Sequence, residues 1–182
     1  MSEYGGHDGL PRLDWAKAAS GMQRPRKVTF AAGNDTAQLL GAWMCWNRWC
    51  HETHGRDLDH TAWMAGQQGK LTSGCFMQVV GWDKGEPVAM VEVRVGYDPC
   101  AREQMGFGDH AWVHPNYREV GVMTGMLEFL IKLGEVCGVY HFVAPVTAGE
   151  GASAPWLRSM YEKYDFGLSG IFMSRNPVRE AA

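Results

Sequence analysis

The chain has 182 residues, of which 46% are hydrophobic and 20% charged, and its net charge is −3. These values are typical of one globular domain, and they exclude a strongly basic nucleic-acid-binding protein. No apolar run approaches the ~20 residues of a membrane span, and no basic-then-apolar signal sequence is present. We therefore expect a cytoplasmic protein with neither membrane nor nucleic acid as its partner. The five cysteines, an odd number, indicate reduced thiols.

The first third of the chain predicts an arm followed by helices. Residues 1–26 are rich in glycine and charge and indicate an N-terminal arm or tail before a single domain at 27–182. A short strand is expected over 28–31, and the stretch Asn34-Asp35-Thr36 can cap a helix that runs to about residue 51. Within it Trp43, Trp46 and Trp49 recur every three residues and so lie along one side. A second, shorter helix is expected over 60–67.

The middle of the chain predicts a hairpin of two strands, over 76–82 and 88–95, joined at 83–87. In the second strand valines alternate with Glu92 and Arg94, which predicts one packed face and one charged face. A loop is expected over 97–104 and a further strand over 108–114.

The most informative stretch follows that strand, from Val113 to Met123. It indicates a strand end, a tight loop containing Arg118 and Gly121, and then a mostly buried helix to Cys137 that Gly138 ends. A helix N-terminus presents unpaired N–H groups and a partial positive charge, so this junction suits a phosphate-bearing ligand. A strand at 139–144, a helix at 156–163 and a strand at 170–174 complete an α/β or α+β order, with helices on both sides of a sheet.

Two motifs in this order resemble the GNAT family of N-acetyltransferases, which use acetyl-coenzyme A. The family's strand ending Val-x-Pro, followed by Tyr-Arg-x-x-Gly-x-Gly/Ala and a buried helix, stands here as Val113–Met123. Its later Tyr-Glu-Lys-x-Gly-Phe stands as Tyr161–Phe166. The resemblance implies a mixed, mainly antiparallel central sheet with helices on both faces. It also implies acetyl-CoA as cosubstrate and an amine, on a small molecule or a protein, as the acceptor.

The resemblance implies a cofactor site as well. Val113 would offer backbone groups to the pantetheine arm and a donor to the thioester oxygen. Tyr161 would be the general acid, although it also suits a packed helix tyrosine. The pyrophosphate would sit on backbone N–H groups of the loop residues Arg118, Glu119, Val120, Gly121, Val122, Met123 and Thr124.

Two residues on the strand before Val113 are candidates for the catalytic base. His110 titrates near neutrality when unperturbed, and Asp109 shares a strand face with Val113 by alternation. Either residue could instead be structural, and a water chain could carry the proton without a dedicated side chain.

Three departures from the family pattern leave an alternative open. Met123 replaces a Gly or Ala, Ala154 stands where Asn is frequent, and Asp165 replaces a Gly. The alternative is a weakly active or inactive protein of this fold that serves as an interaction or assembly component, for instance of a viral particle. Its protein partner would dock on the tryptophan-rich first helix.

The cysteines and histidines near the end of that helix do not have a usual zinc spacing. We therefore expect no metal site, with buried thiols and exposed histidines at these positions.

Overall fold

A computed structural model describes residues 28–33, 35–73, 75–99, 102–118, 120–143, 159–164 and 166. The chain divides into two compact units, Met1–Ala144 and Pro145–Ala182. The predicted arm at 1–26, the predicted strand at 170–174 and the first residues of the helix predicted at 156–163 lie outside the described residues.

The described part of the first unit contains a five-stranded sheet and three α-helices. The strands lie in the order β1-β2-β3-β4-β5, with antiparallel neighbours except for the parallel pair β4–β5. This arrangement confirms the predicted mixed, mainly antiparallel sheet. In chain order the elements are β1 (Thr29–Ala32), α1 (Thr36–His54), α2 (His60–Thr72), β2 (Phe76–Asp83), β3 (Glu86–Asp98), β4 (Glu103–Val113), a 3-10 turn (Pro115–Tyr117), α3 (Val122–Cys137) and β5 (Val139–Val143).

The helices cover both faces of the sheet. Val79 and Val80 are both fully buried, and because side chains alternate along a strand they point to opposite faces. Val79 belongs to an apolar cluster with Leu133 of α3, whereas Val80 belongs to a second cluster with Cys45 of α1 and Trp63 of α2.

The helix starts are fixed by the predicted kind of cap, but the helices run further than expected. Asp35 accepts a hydrogen bond from the Gln38 N–H at 2.9 Å, and Asp59 accepts one from the Ala62 N–H at 3.0 Å. Helix α1 ends where Gly55 adopts a left-handed φ of 65°. Helix α2 extends five residues past the predicted end at 67, and Gln67 lies buried within it.

Two sequence predictions about the strands are wrong. Residues 97–104 do not form a loop of that length, because β3 runs to Asp98 and β4 begins at Glu103. Glu92 does not lie on a solvent-exposed face: it is 0% exposed, because α1 and α2 cover that face of the sheet.

Gly106 of β4 lies where two strands pack closely, since a Cβ there would stand 2.5 Å from the Phe142 ring.

Strand β4 contains an irregularity that positions the site. Gly108 is paired with Val93 and His110 with Glu92, so Asp109 is an extra residue without a partner on β3. This β-bulge follows directly after Phe107, the last β4 residue that pairs with β5.

Candidate active site

Among the described residues, the edge of β4 that faces β5 is unpaired beyond the bulge. Pairing with β5 covers Gln104 to Phe107, and within the described residues no strand pairs with that edge from Gly108 to Val113. The next N–H, that of His114, donates to the Val88 carbonyl on the β3 side at 2.8 Å. Because backbone groups alternate in direction along a strand, the N–H and C=O of Val113 face the open side. An extended ligand can therefore be held there by main-chain hydrogen bonds.

The loop that follows presents the start of α3 to the same region. Gly121 is the N-cap with φ 78°, a left-handed conformation that favours glycine, and none of the described side chains caps the helix. The first helical hydrogen bond runs from the Gly125 N–H to the Gly121 carbonyl at 3.0 Å, so the N–H groups of Val122, Met123 and Thr124 precede the helical ladder. A Cβ on Gly121 would meet nothing within 4 Å. These features fit a phosphate group.

Met123, the departure from the family's small residue, is accommodated by the core. Its side chain is half-buried and packs against the apolar cluster beneath α3. Its backbone N–H stays in the first turn of the helix. The substitution therefore leaves the main-chain donors of the loop in place.

A cleft of about 470 Å³ lies on the loop and the start of α3. The Tyr117 hydroxyl donates to Asp83 Oδ2 at 2.7 Å, which fixes the 3-10 turn against the end of β2. The cleft is lined by Val28, Phe30, Asn116, Tyr117, Val120, Gly121, Val122 and Thr124. Of the predicted phosphate-binding residues, Glu119 lies outside the described residues.

Arg118 is engaged by its side chain as well as by its place in the loop. Its Nε donates to the Val113 carbonyl at 2.9 Å, and its Nη2 lies 2.5 and 2.8 Å from the carboxylate oxygens of Glu52 on α1. One lone pair of the Val113 carbonyl is thus occupied.

The two predicted base candidates occupy different environments at the bulge. The Asp109 side chain is 23% exposed, and its Oδ2 accepts a hydrogen bond from Arg94 Nε at 2.6 Å. The His110 ring is stacked on Trp46 at 3.8 Å between ring centroids and stands edge-on to Trp49. Burial, together with the charge of Lys70, lowers the pKa of His110 to about 4. His110 is therefore neutral at pH 7 and enclosed by the tryptophan rings, whereas the Asp109 carboxylate forms an ion pair with Arg94.

A buried polar cluster beside His110 was missed by sequence reasoning. Glu92 Oε1 accepts hydrogen bonds from Trp46, Gln67 and Gln78 at 2.8, 3.2 and 2.9 Å, and Oε2 lies 3.8 Å from Lys70 Nζ. Burial raises the pKa of the Glu92 carboxyl, although the hydrogen bonds and Lys70 oppose this. Strand alternation correctly predicted that Glu92 and the valines lie on opposite faces of β3. It could not predict that two helices cover the face with Glu92.

The tryptophan stripe of α1 also belongs to this interior. Trp43, Trp46 and Trp49 do lie on one side of the helix, as predicted, and they pack against the cluster formed by Val80, Met90 and Trp112. Core packing thus accounts for the stripe.

Tyr161 belongs to the second unit, in which 159–162 form a helical turn. The Tyr161 carbonyl accepts a hydrogen bond from the Phe166 N–H at 3.3 Å, and the two rings lie 5.2 Å apart. Burial raises the pKa of the Tyr161 hydroxyl above its ordinary value, so it is protonated at neutral pH and able to donate.

Across the described residues, no three His, Cys, Asp or Glu side chains are placed to hold a metal ion. No helix in the described ranges combines the length and hydrophobicity that a bilayer crossing requires. Burial raises the pKa of the Cys45 thiol to about 12, which makes it a core residue rather than a nucleophile.

The strand–loop–helix junction and the fold around it are those of an acetyltransferase domain. Residues 36–166 match the model of the acetyltransferase (GNAT) family, and the chain belongs to this family. No significant match was found among curated proteins.

Solved acetyltransferase structures share the fold at low sequence identity. One is a predicted acetyltransferase of Clostridium acetobutylicum with acetyl-CoA, which is 14% identical, with a TM-score of 0.62 over 82% of this chain and 96% of that one. An aminoglycoside acetyltransferase from an uncultured soil metagenomic sample, in complex with sisomicin, is 10% identical, with a TM-score of 0.64 over 82% and 97%. Glucosamine-6-phosphate N-acetyltransferase from Arabidopsis thaliana is 14% identical, with a TM-score of 0.61 over 81% and 98%.

Proposed function

We propose that the protein is an acetyl-CoA-dependent N-acetyltransferase that acts on the amine of a small molecule or a protein. The observation that carries this proposal is the uncapped N-terminus of α3 at Gly121 beside the open edge of β4 at Val113. The match to the acetyltransferase family and the acetyl-CoA in the Clostridium acetobutylicum structure support it.

The residues of the first unit would hold and orient the donor. The N–H groups of Val122, Met123 and Thr124 would bind the pyrophosphate, assisted by the helix dipole. The Val113 N–H, which faces the open edge, would donate to the thioester oxygen, where negative charge develops during transfer. Acetyl-CoA would supply the activated acetyl group, and positioning against the amine would remove much of the entropic barrier.

The proton steps would use Asp109 and Tyr161. Asp109 would accept the amine's proton as the nitrogen bonds to the acetyl carbon, because the bulge sets it apart from His110, which is enclosed by two tryptophans. As the carbon–sulfur bond breaks, Tyr161 would give its proton to the leaving thiolate and regain one from water.

The proposal can be tested by measuring thiol release from acetyl-CoA with amines of three classes: an aminoglycoside, an amino sugar and a lysine-containing peptide. We expect turnover with at least one class. Asp109→Asn should lower kcat by about 10²–10⁴-fold, the usual contribution of a general base. Glu103→Gln on the same strand is the matched control and should stay within about twofold of the parent protein, because Glu103 contacts only the β5 side through His141 among its described hydrogen bonds.

Two results would contradict parts of this account. Full activity of Asp109→Asn would remove Asp109 from the mechanism. Tight acetyl-CoA binding without turnover of any amine class would favour the assembly alternative over the enzyme.

A second variant tests the acid. Tyr161→Phe should lower kcat while leaving the acetyl-CoA dissociation constant unchanged, because only the hydroxyl group, the proton donor, is removed. An unchanged kcat would exclude Tyr161 as the general acid.

A further inference from the structure

One carboxylate, that of Glu52, joins three elements around the proposed donor site. Glu52 lies in the last turn of α1, and its Oε2 accepts a hydrogen bond from Trp112 Nε1 of β4 at 3.0 Å. Both of its oxygens also accept from Arg118 Nη2 in the loop before α3. Arg118 Nε in turn donates to the Val113 carbonyl at the end of β4. The helix, the strand end and the loop are therefore connected through a continuous set of hydrogen bonds.

This arrangement differs from an ordinary surface ion pair. Arg48 and Glu86 form such a pair, with a single contact of 3.5 Å and a Glu86 side chain that is 68% exposed. The Glu52 side chain is 38% exposed, and each of its oxygens accepts at least one charge-assisted or indole N–H. Partial burial alone would raise the pKa of Glu52, but the hydrogen bonds from Arg118 and Trp112 outweigh it and lower the pKa. Glu52 is thus ionised at neutral pH, as the contact with Arg118 requires.

The contact between Glu52 and Arg118 lies next to the groups that would bind acetyl-CoA. The backbone groups of Val113 face the unpaired edge of β4, and Arg118 Nε donates a hydrogen bond to the Val113 carbonyl. Three residues after Arg118 the chain reaches Gly121, where α3 begins. The position of the Arg118 guanidinium therefore affects the positions of both backbone segments that would bind acetyl-CoA, namely the end of β4 and the N-terminus of α3.

Helix α1 also links the contact between Glu52 and Arg118 to the two candidate bases. Helix α1, which carries Glu52, also carries Trp46 and Trp49, and their rings enclose His110 beside Asp109. Glu52 therefore connects Arg118 to the same helix that packs against His110.

We infer that Glu52 is a positioning residue for the acetyl donor, which holds Arg118 against the Val113 carbonyl and ties the donor loop to α1. This inference rests on the proposed function, since it concerns how acetyl-CoA is received. Glu52 itself touches neither the phosphate-binding N–H groups nor the base, so its effect is exerted through Arg118.

A double-mutant cycle measured by calorimetric titration of acetyl-CoA tests the inference. Glu52→Gln and Arg118→Gln should each weaken acetyl-CoA binding, by about tenfold. The double variant should bind no more weakly than the weaker single variant, because either change alone already breaks the connection. In steady-state assays Glu52→Gln should raise KM for acetyl-CoA and leave kcat at saturation within about twofold, a split that a general loss of structure would not produce.

Two further variants serve as controls. Glu86→Gln breaks the exposed pair with Arg48 and should leave acetyl-CoA affinity unchanged. Glu52→Asp keeps the negative charge and should recover most of the affinity, and it keeps the test decisive if Glu52→Gln folds poorly.

The outcomes separate the inference from the function on which it rests. Equal acetyl-CoA affinity of the parent protein and Glu52→Gln, or effects of Glu52→Gln and Arg118→Gln that multiply in the double variant, would overturn the inference and leave the proposed function standing. A parent protein that binds no acetyl-CoA would overturn both.

Discussion

The face of the sheet beneath α3 and the face beneath α1 and α2 are packed with different chemistry. The cluster beneath α3 is formed by apolar side chains such as Met126, Leu130 and Leu133. The interior beneath α1 and α2 contains tryptophans and, among them, the buried Gln67, Gln78 and Glu92. Burial of apolar surface stabilises the fold. Burial of a carboxylate destabilises it, unless hydrogen bonds compensate for the lost hydration of the charge.

This difference indicates that the two faces of the sheet have different roles. The α3 face holds the helix whose N-terminus forms the proposed phosphate site, so rigidity there preserves the loop geometry. The polar face borders the bulge with Asp109 and His110, and its buried atoms without a hydrogen-bond partner include Glu92 Oε2 and His110 Nε2. Such groups lower stability and are tolerated where an arrangement serves another purpose.

The largest effect is expected from the apolar face. Leu133→Ala removes a fully buried side chain and should lower the free energy of unfolding by about 3–4 kcal/mol, through lost burial and the cavity left behind. Denaturant unfolding of the variant measures this loss. Ile131→Ala on the same helix is the control: its side chain is only half-buried, and the loss should be clearly smaller. Equal losses for the two variants would contradict the placement of the core.

The second effect concerns the carboxylate of the polar face. Glu92→Ala leaves the N–H donors of Trp46, Gln67 and Gln78 without their shared acceptor, and we expect a loss of about 3 kcal/mol. Glu92→Gln keeps an acceptor oxygen without the charge and should be tolerated.

The pH dependence of unfolding tests whether the pKa of Glu92 is raised in the folded protein. Because the folded pKa of Glu92 is raised above that of the unfolded chain, the folded state binds more protons, and stability should fall as pH rises above about 4.5. Glu92→Gln should remove this part of the slope. A variant with the parent's slope would show that Glu92 does not titrate as described.

The third effect concerns His110 and has the opposite sign. The pKa of His110 is lowered from 6.5 to about 4, so the unfolded state binds the proton first, and stability should fall as pH is lowered from about 6.5 to 4. The loss should be about 2–3 kcal/mol at pH 4. His110→Phe can still stack on Trp46 but cannot titrate, and urea unfolding across this pH range should show a flatter profile.

The sequence predicted the α3 face better than the polar face, for a physical reason. The 3.6-residue periodicity of α3, its stop at Gly138 and the glycine before it are local signals, and the structure confirms them. The burial of Glu92 depends on helices some 20 to 50 residues away in the chain, as the partners Trp46 and Gln67 show. The extension of β3 and β4 through 97–104 likewise arises from pairing between strands, which local propensity does not report.

The candidate site shows the same limit. The loop from Arg118 to Thr124 could be found from its Gly and Arg spacing, and Asp109 from its place on the strand. The bulge that sets Asp109 apart from His110, and the contact of Arg118 with Glu52, join residues distant in sequence and become visible only in the folded chain.

The central claim, that the junction at Gly121 receives acetyl-CoA, is tested most directly by calorimetric titration of acetyl-CoA into the parent protein, Gly121→Trp and Gly138→Trp. Both glycines flank α3 with left-handed φ values, 78° and 76°, in open space, so the two substitutions impose similar backbone strain at opposite ends of one helix. We expect the parent and Gly138→Trp to bind acetyl-CoA and Gly121→Trp to lose binding. No binding by the parent at millimolar acetyl-CoA, or undiminished binding by Gly121→Trp, would contradict the claim.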